Sequence, residues 1–298
     1  MRIHHLIALS TFVGAVNAQW TLNYQTPNHE IVKGLSSPTD STCWFTTNFA
    51  DLYKTADGGA TWSVLPQVAP YYLPYGLFVV NNNIGFRTSS TSVYKTSNGG
   101  STWNNVFTGV GSLAPVVWML NSTTGVLANN GTLFKTTDGG DTWSTSGITQ
   151  PPASIAGSGG KGTICEQGDS LWVTLVGDGI AFSPDLGTTW TIPANNGLTF
   201  GTTPRISFAN ANLGMAVMHN DPYVHVTTDG GNNWTMADNS LGANEDVLAI
   251  GSECWYIPNP ADHFYIKYSS DSGATWTQQL FDANGFDALE RSREGHTL

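Results

Sequence analysis

The chain has 298 residues, with Lys+Arg 11 against Asp+Glu 22 and a formal charge of −11. Charged residues are only 11%, beside 33 Gly and 11 Trp, a balance that suits a turn-rich all-β chain and excludes coiled coils, helix bundles and charged disordered tails. So few cations on an acidic chain also exclude a nucleic-acid binder, whose affinity rests on Lys/Arg contacts to phosphate.

The chain opens with Arg2, two histidines and an apolar run from Leu6 to Val16, then the small-residue site Val16-Asn17-Ala18. This pattern predicts a secretory signal peptide over 1–18, cut between Ala18 and Gln19, and hence a secreted or cell-surface protein. The run is far short of the roughly 20 residues that span a bilayer, and nothing later is long and apolar enough to do so. Losing Arg2 leaves ten cations against 22 acids. Export permits disulfides, but Cys43, Cys165 and Cys254 are an odd number. Cys43-Trp44-Phe45 and Cys254-Trp255-Tyr256 are matching contexts. They read first as small buried residues in equivalent strands, and second as a Cys43–Cys254 bridge. None of the three has metal-ligand spacing.

One eight-residue pattern, Ser/Thr-x-Asp-x-Gly-x-x-Trp, then recurs six times. The copies run from Thr55 to Trp62, Thr96 to Trp103, Thr136 to Trp143, Ser183 to Trp190, Thr227 to Trp234 and Ser269 to Trp276. Asn98 stands at the acid position of the second copy, and Asn233 replaces the penultimate Thr of the fifth. Successive tryptophans lie 41, 40, 47, 44 and 42 residues apart, the signature of a repeat architecture. An alternating apolar run precedes and follows each copy, so each is a hairpin connection. The acid accepts bonds from backbone N–H groups just ahead of it and closes the turn. The glycine, Gly59 in the first copy, supplies a positive φ without a Cβ clash. The Trp covers the turn with its apolar face while its N–H still finds an acceptor.

These copies resemble the Asp-box, or bacterial neuraminidase repeat, over nearly the whole mature chain. The resemblance implies a β-propeller of four-stranded antiparallel blades, each carrying the box between its third and fourth strands. Asp57, Asn98, Asp138, Asp185, Asp229 and Asp271, with Trp62, Trp103, Trp143, Trp190, Trp234 and Trp276, are then structural clamps rather than catalytic groups. In the fourth unit, 162–165, 170–175, 179–183 and 190–192 read as the four strands. Trp44, Trp172 and Trp255 fill one equivalent second-strand position facing a neighbouring blade. Trp20-Thr21-Leu22-Asn23 matches Trp276-Thr277-Gln278-Gln279 and reads as a lone outermost strand, and 284–290 reads as another innermost one. A single domain over 19–290 with six complete blades and a partial seventh is the expectation, and 291–298 is the ragged tail of a truncated last blade. The competing expectation is a six-bladed ring with a spare tail.

In propellers of this kind, ligands use the face opposite the boxes. The candidates there are Tyr71, Tyr72 and Tyr75 between the first two units, then Arg87, Asp178 and Arg205. His219, Asp221 and Tyr223 follow, then Asp246, and last Asp262 and His263. Together they suggest a platform where tyrosines stack on a sugar or side chain and carboxylates and amides bond around it. Each is also an ordinary loop residue taken singly. A metal held by His219, Asp221 and His263 is the weaker reading of those three, so no metal and no cofactor are expected. A monomer is expected.

Sialidases share the box, but their chemistry needs three arginines clamping a carboxylate. The mature chain has four, two of them (Arg291 and Arg293) in the tail, and Pro204-Arg205-Ile206-Ser207 is a weak, misplaced echo of the family's arginine element. Xyloglucanase-type enzymes set paired carboxylates across a cleft between two propellers, which one propeller does not build. Gly157 to Thr163 lacks P-loop spacing and a hydroxyl residue after Lys161. The repeats are most similar to photosystem II assembly/stability-factor-like propellers, which hold partner proteins. The arginine-rich patch expected of that family has no counterpart here. The expected function is a secreted, non-catalytic propeller binding a protein or glycan, and the rival is a carbohydrate-active enzyme. Three sequons, at Asn121, Asn130 and Asn233, matter only in a eukaryotic secretory pathway.

Overall fold

The computed structural model describes residues 5–7, 22–25, 32–49, 51–65, 76–111, 114–151, 162–175, 179–195, 197–198, 204–218, 221–239, 246–258 and 265–281. A two-stranded ribbon pairs β1 (His5–Ile7) with β2 (Leu22–Gln25). Six antiparallel blades follow. Blade 1 holds β3 (Val32–Ser36), β4 (Cys43–Thr47), β5 (Leu52–Thr55) and β6 (Ser63–Leu65). Blade 2 holds β7 (Gly76–Val79), β8 (Gly85–Thr88), β9 (Ser92–Thr96) and β10 (Asn104–Thr108). Blade 3 has β11 (Val116–Met119), β12 (Gly125–Asn129) and β13 (Thr132–Thr136), and blade 4 has β14 (Ile164–Gln167), β15 (Ser170–Leu175) and β16 (Gly179–Ser183). Blade 5 holds β17 (Pro204–Phe208), β18 (Gly214–Met218), β19 (Tyr223–Thr227) and β20 (Thr235–Asn239). Blade 6 holds β21 (Asp246–Ile250), β22 (Glu253–Ile257), β23 (Tyr265–Ser269) and β24 (Thr277–Phe281). The chain is a six-bladed β-propeller, and no helix among the described residues is long and apolar enough to cross a membrane.

Blade 6 carries its own outer strand, and β2 pairs with β1 rather than closing a blade. The segments 284–290 and 291–298 lie outside the described residues. In the fourth unit the second and third strands fall on 170–175 and 179–183 as expected. The inner strand begins two residues later than expected, and the outer one shrinks to a single bridge, Phe182 to Thr191. Blade 3 is reduced in the same way, to a bridge between Lys135 and Ser144.

All six acidic turns share one hydrogen-bond plan. The first hydroxyl donates to the acid position's Oδ1 at 2.7–3.0 Å. The same hydroxyl oxygen accepts the glycine N–H four residues on, at 2.7–3.0 Å. The penultimate residue's N–H donates to that Oδ1 at 2.7–3.0 Å. Two successive residues in each turn take positive φ, including the non-glycines Leu186 at 52° and Ser272 at 57°.

Each turn is also stapled to its blade's first hairpin. The N–H of Gly58, Gly99, Gly139, Leu186, Gly230 and Ser272 donates to the carbonyl of Ser41, Asn83, Thr123, Asp169, Asn212 and Ser252 respectively, at 2.7–3.0 Å. In three blades that hairpin is itself wound around an asparagine: Asn81, Asn121 and Asn210 each accept two backbone N–H groups at 2.7–2.9 Å. Both hairpins of a blade therefore occupy one face of the ring. The loops between second and third strands, and the crossings between blades, necessarily emerge on the other.

Burial between blades supplies the core. The second-strand Trp44 lies with Leu52, Val79 and Trp103 between blades 1 and 2, and Trp172 with Ile206, Phe208 and Ala216 between blades 4 and 5. Trp255 holds the equivalent place in blade 6, packed with Leu248, Ile257 and Ile266. Each such indole contributes on the order of 2–3 kcal/mol through burial. Inner strands are also joined across blades: Val79 N–H donates to Ser36 Oγ at 2.9 Å, and Ala249 N–H to Ser207 Oγ at 3.0 Å. Lys54 reaches Gly99 O of the next blade at 3.3 Å, and Lys95 reaches Asp141 at 2.7 Å. Cys43, Cys165 and Cys254 are all buried free thiols, with no Cys43–Cys254 bridge. Cys43 and Cys254 do hold equivalent places, each paired across the sheet with the first hydroxyl residue of its turn, Thr55 and Ser269.

Candidate functional site

The acids of the hairpin-face turns are bonded within their own turns. Hydrogen bonds from Thr61 and Thr55 hold Asp57 down to about 2, and those from Thr275 and Ser269 do the same for Asp271. Asp138 is lowered by Thr142 and Thr136, Asp185 by Thr189 and Ser183, and Asp229 by Asn233 and Thr227. A carboxylate with both oxygens accepting bonds from its own turn is favoured in its ionised form. That is a clamp's chemistry and the opposite of a general acid's, which needs a raised pKa.

The other candidates are those expected on the loop face. Tyr71, Tyr72, Tyr75, Asp178, His219, Asp262 and His263 lie outside the described residues. Arg87, Arg205, Asp221, Tyr223 and Asp246 lie within them.

Arg87 is the third residue of β8, opposite Tyr94. Its guanidinium carbon sits 4.7 Å from the Trp103 ring centroid and 5.7 Å from that of Tyr94. Burial lowers its pKa while the Tyr94 hydroxyl opposes the shift. It is a cation laid on aromatic faces where blades 1 and 2 meet.

Arg205, second in β17, has its Cβ against Gly162 of blade 4. A side chain at Gly162 would put its own Cβ 2.9 Å from that of Arg205. The adjoining Ile206 N–H donates to Gly162 O at 2.8 Å. Arg205 thus rises from the seam between the inner strands of blades 4 and 5.

Asp221 shapes the blade 5 loop. Its N–H donates to Met218 O at 3.0 Å and its Oδ1 accepts the Tyr223 N–H at 2.9 Å. The other oxygen lies 3.8 Å from Nε2 of His225 on β19. His225 is only 3% exposed, and its ring meets that of Tyr223 edge-on with centroids 6.5 Å apart. Burial lowers its pKa, and the nearby Asp221 charge partly offsets that. The structure therefore joins two predicted residues, Asp221 and Tyr223, to one that the sequence reading missed. The signal for His225 was its place in the alternating run Tyr223-Val224-His225-Val226-Thr227, which puts it on the same side of the strand as Tyr223.

Asp246 opens the innermost strand of blade 6. It is 4% exposed, with its Oδ1 accepting the Val247 N–H at 3.0 Å. Among the described residues no group of three or more His, Cys, Asp or Glu side chains is placed to hold a metal ion. Of His219, Asp221 and His263, only Asp221 is described, and its carboxylate is turned to Tyr223 N–H and His225. Phe49, in the blade 1 loop after β4, is 53% exposed, and Val110, in the crossing to blade 3, is 71% exposed. Both add apolar surface to this face that the sequence reading did not single out. On the described part of this face Phe49 and Val110 are exposed, Arg87, Arg205, Asp221 and Tyr223 are half-buried, and Asp246 is buried.

No family model matches the chain, and no curated protein matches it. Solved structures do. YCF48 bound to D1 peptide is 18% identical, with 91% of this chain and 90% of that chain covered, at a TM-score of 0.68. YCF48 from Cyanidioschyzon merolae is 15% identical over 88% of this chain and 90% of that one, at 0.62. An ancestral GH74 enzyme is 15% identical over 86% of this chain but only 37% of that one, at 0.56. Identities this low establish a shared fold, and the fold they establish is the β-propeller.

Proposed function

We propose that this chain is an exported, non-catalytic propeller of the Asp-box type that binds a protein partner through its loop face. The observation that carries the reading is the closure of the six acidic turns. Each spends its carboxylate or carboxamide inside itself and is stapled to the neighbouring hairpin, so the recurring acids are scaffold and recognition is left to the opposite loops. The likeness to a YCF48 structure with a bound D1 peptide supports a polypeptide over a glycan as the partner. Tyr71, Tyr72 and Tyr75, in the segment joining β6 to β7, are the proposed anchors, with Tyr223 and Phe49. Aromatic side chains contribute most to such interfaces because they bury large area at little entropic cost.

The test is capture from an envelope extract, repeated with the Tyr71→Ala, Tyr72→Ala, Tyr75→Ala triple variant. A specific protein lost with the triple variant supports the reading. A glycan-array signal with no protein capture replaces the protein by a sugar. Mass spectrometry of the exported chain tests the proposed cleavage, expected to leave Gln19 as the first residue.

The GH74 likeness favours a second reading, a carbohydrate-active enzyme, although this chain matches only 37% of that enzyme. A glycosidase panel addresses it. Turnover abolished by Asp178→Asn or Asp246→Asn would establish catalysis in place of binding.

A further inference from the structure

The fold treats the three Asn-x-Ser/Thr sequons, at Asn121, Asn130 and Asn233, differently. At Asn233 both polar ends are committed within blade 5. The carboxamide nitrogen donates to Asp229 Oδ2 at 2.7 Å, and the Thr235 hydroxyl donates to Val226 O at 3.2 Å. At Asn121 one carboxamide oxygen accepts the Thr123 N–H, the Thr123 hydroxyl and the Thr124 N–H at 2.7–3.0 Å, which winds the first hairpin of blade 3. That hairpin is in turn stapled to the Gly139 N–H through Thr123 O at 2.7 Å.

Asn130 has no such duty. It is the exposed tip of the turn joining β12 to β13, on the loop face. Its φ of 46° and the 83° of Gly131 are the two positive values that a tight hairpin loop needs. Neither the Asn130 carboxamide nor the Thr132 hydroxyl makes a hydrogen bond among the described residues. The carboxamide lies over Gly111, where a Cβ would fall 2.7 Å from its Oδ1. Val110, next to Gly111, is the most exposed large apolar side chain described, and its N–H donates to Asn129 Oδ1 at 3.2 Å. The one sequon with both side chains unbonded therefore stands beside a fixed apolar side chain.

We propose that Asn130 is the chain's N-glycan acceptor in a eukaryotic secretory pathway, an assignment that rests on the export proposed above. In the transfer, Asn130 Nδ2 bonds to the anomeric carbon of a lipid-pyrophosphate-linked oligosaccharide. The anomeric C–O bond breaks, the lipid pyrophosphate leaves with the electron pair, and Nδ2 gives up one proton. A bulky, solubilising sugar chain then stands on the loop face beside Val110, where blades 2 and 3 meet. The Asp229 turn and the Asn121 hairpin keep their hydrogen bonds.

The test expresses the full chain in a eukaryotic secretory cell, once with its own leader and once with a supplied one. Secretion with the supplied leader alone contradicts the export reading, and the glycan is then read on that secreted chain. A single glycan is expected, whose release by a peptide amidase leaves aspartate at position 130 in the peptide map. Thr132→Val and Asn130→Gln should lose it, and Thr132→Ser, which keeps the hydroxyl, should retain it. Thr132→Val leaves both turn residues in place, so its secretion separates a lost glycan from a lost fold. The proposal is overturned if the secreted natural chain carries no glycan, or carries one on Asn121 or Asn233. It is also overturned if Thr132→Val keeps its glycan.

Discussion

The indole of Trp172 lies flat on the Phe208 ring, with centroids 4.2 Å apart and planes 7° from parallel, and this stack ties blade 4 to blade 5. Trp234 meets Phe208 edge-on, with centroids 6.0 Å apart and planes at 80°. One aromatic column thus runs from a second strand through the next blade's first strand to that blade's turn.

Truncating this column is expected to be costly. Trp172→Ala and Phe208→Ala should each lower unfolding free energy by about 3–5 kcal/mol, the range for large aromatics removed from a core. The double variant should fall short of the sum by about 1 kcal/mol, because the two residues share one contact. Urea denaturation of the three variants measures both quantities. Strict additivity would mean that the stack is geometry without energy.

The turns make a graded prediction. Asn98 already fills the acid position of blade 2, with Oδ1 accepting the Thr102 N–H at 2.9 Å and Nδ2 donating to the Thr102 hydroxyl at 2.8 Å. Asp138→Asn should therefore lower the urea midpoint less than Asp138→Ala, which leaves the Thr142 N–H without its acceptor. Equal losses would contradict the clamp reading. Asn98→Asp should fold normally, with the Thr102 hydroxyl turned round to donate.

Acid should act in two stages. His225 has a folded pKa below its unfolded value, so the unfolded state binds more protons as pH falls. The stability that neutral His225 contributes is complete above about pH 6.5 and is lost below it. Asp57 and Asp271 are also lowered, to about 2. Their contribution holds above about pH 4 and is lost as pH falls from there toward 2. Urea midpoints measured from pH 8 to pH 3 should show both limbs. His225→Gln should remove the upper limb and leave the lower one.

Thiol chemistry should be silent in the native state. Burial is the first cause that pushes the Cys254 thiol up to about 12, with the charges of Asp271 and Glu253 adding to it. A disulfide reagent should label none of the three cysteines in buffer and all three in denaturant. Only one labelled in denaturant would reveal a bridge.

The six turns were legible because each needs the same residues at the same spacing, and the second-strand tryptophans because size and register leave one place for them. The fourth strands of blades 3 and 4 were not. Trp143 is followed by Ser144-Thr145-Ser146-Gly147, with Gly147 at φ 74°, and Pro193 follows Ile192 with no N–H to give a ladder. Those breakers were present in the sequence, yet the repeat argued for a full strand over them. The asparagine hairpins also had a signal, Asn-x-x-x-Gly at Asn81, Asn121 and Asn210, overshadowed by the stronger turn pattern. The loop face was legible only as residue types, because its chemistry depends on which side chains the ring brings together. Asp221 with His225 is such a pair, set by the loop that Asp221 itself closes.

The central claim is that recognition belongs to the loops and scaffolding to the turns. Its most direct measurement is equilibrium binding to the strongest hit of a combined peptide and glycan array. The comparison sets the Tyr71, Tyr72 and Tyr75 alanine variant against an Asp138→Asn, Asp185→Asn turn variant. The account predicts that the turn variant keeps its affinity while the tyrosine variant loses at least about tenfold, as expected for aromatic anchors. Loss in the folded turn variant with retention in the tyrosine variant would contradict it.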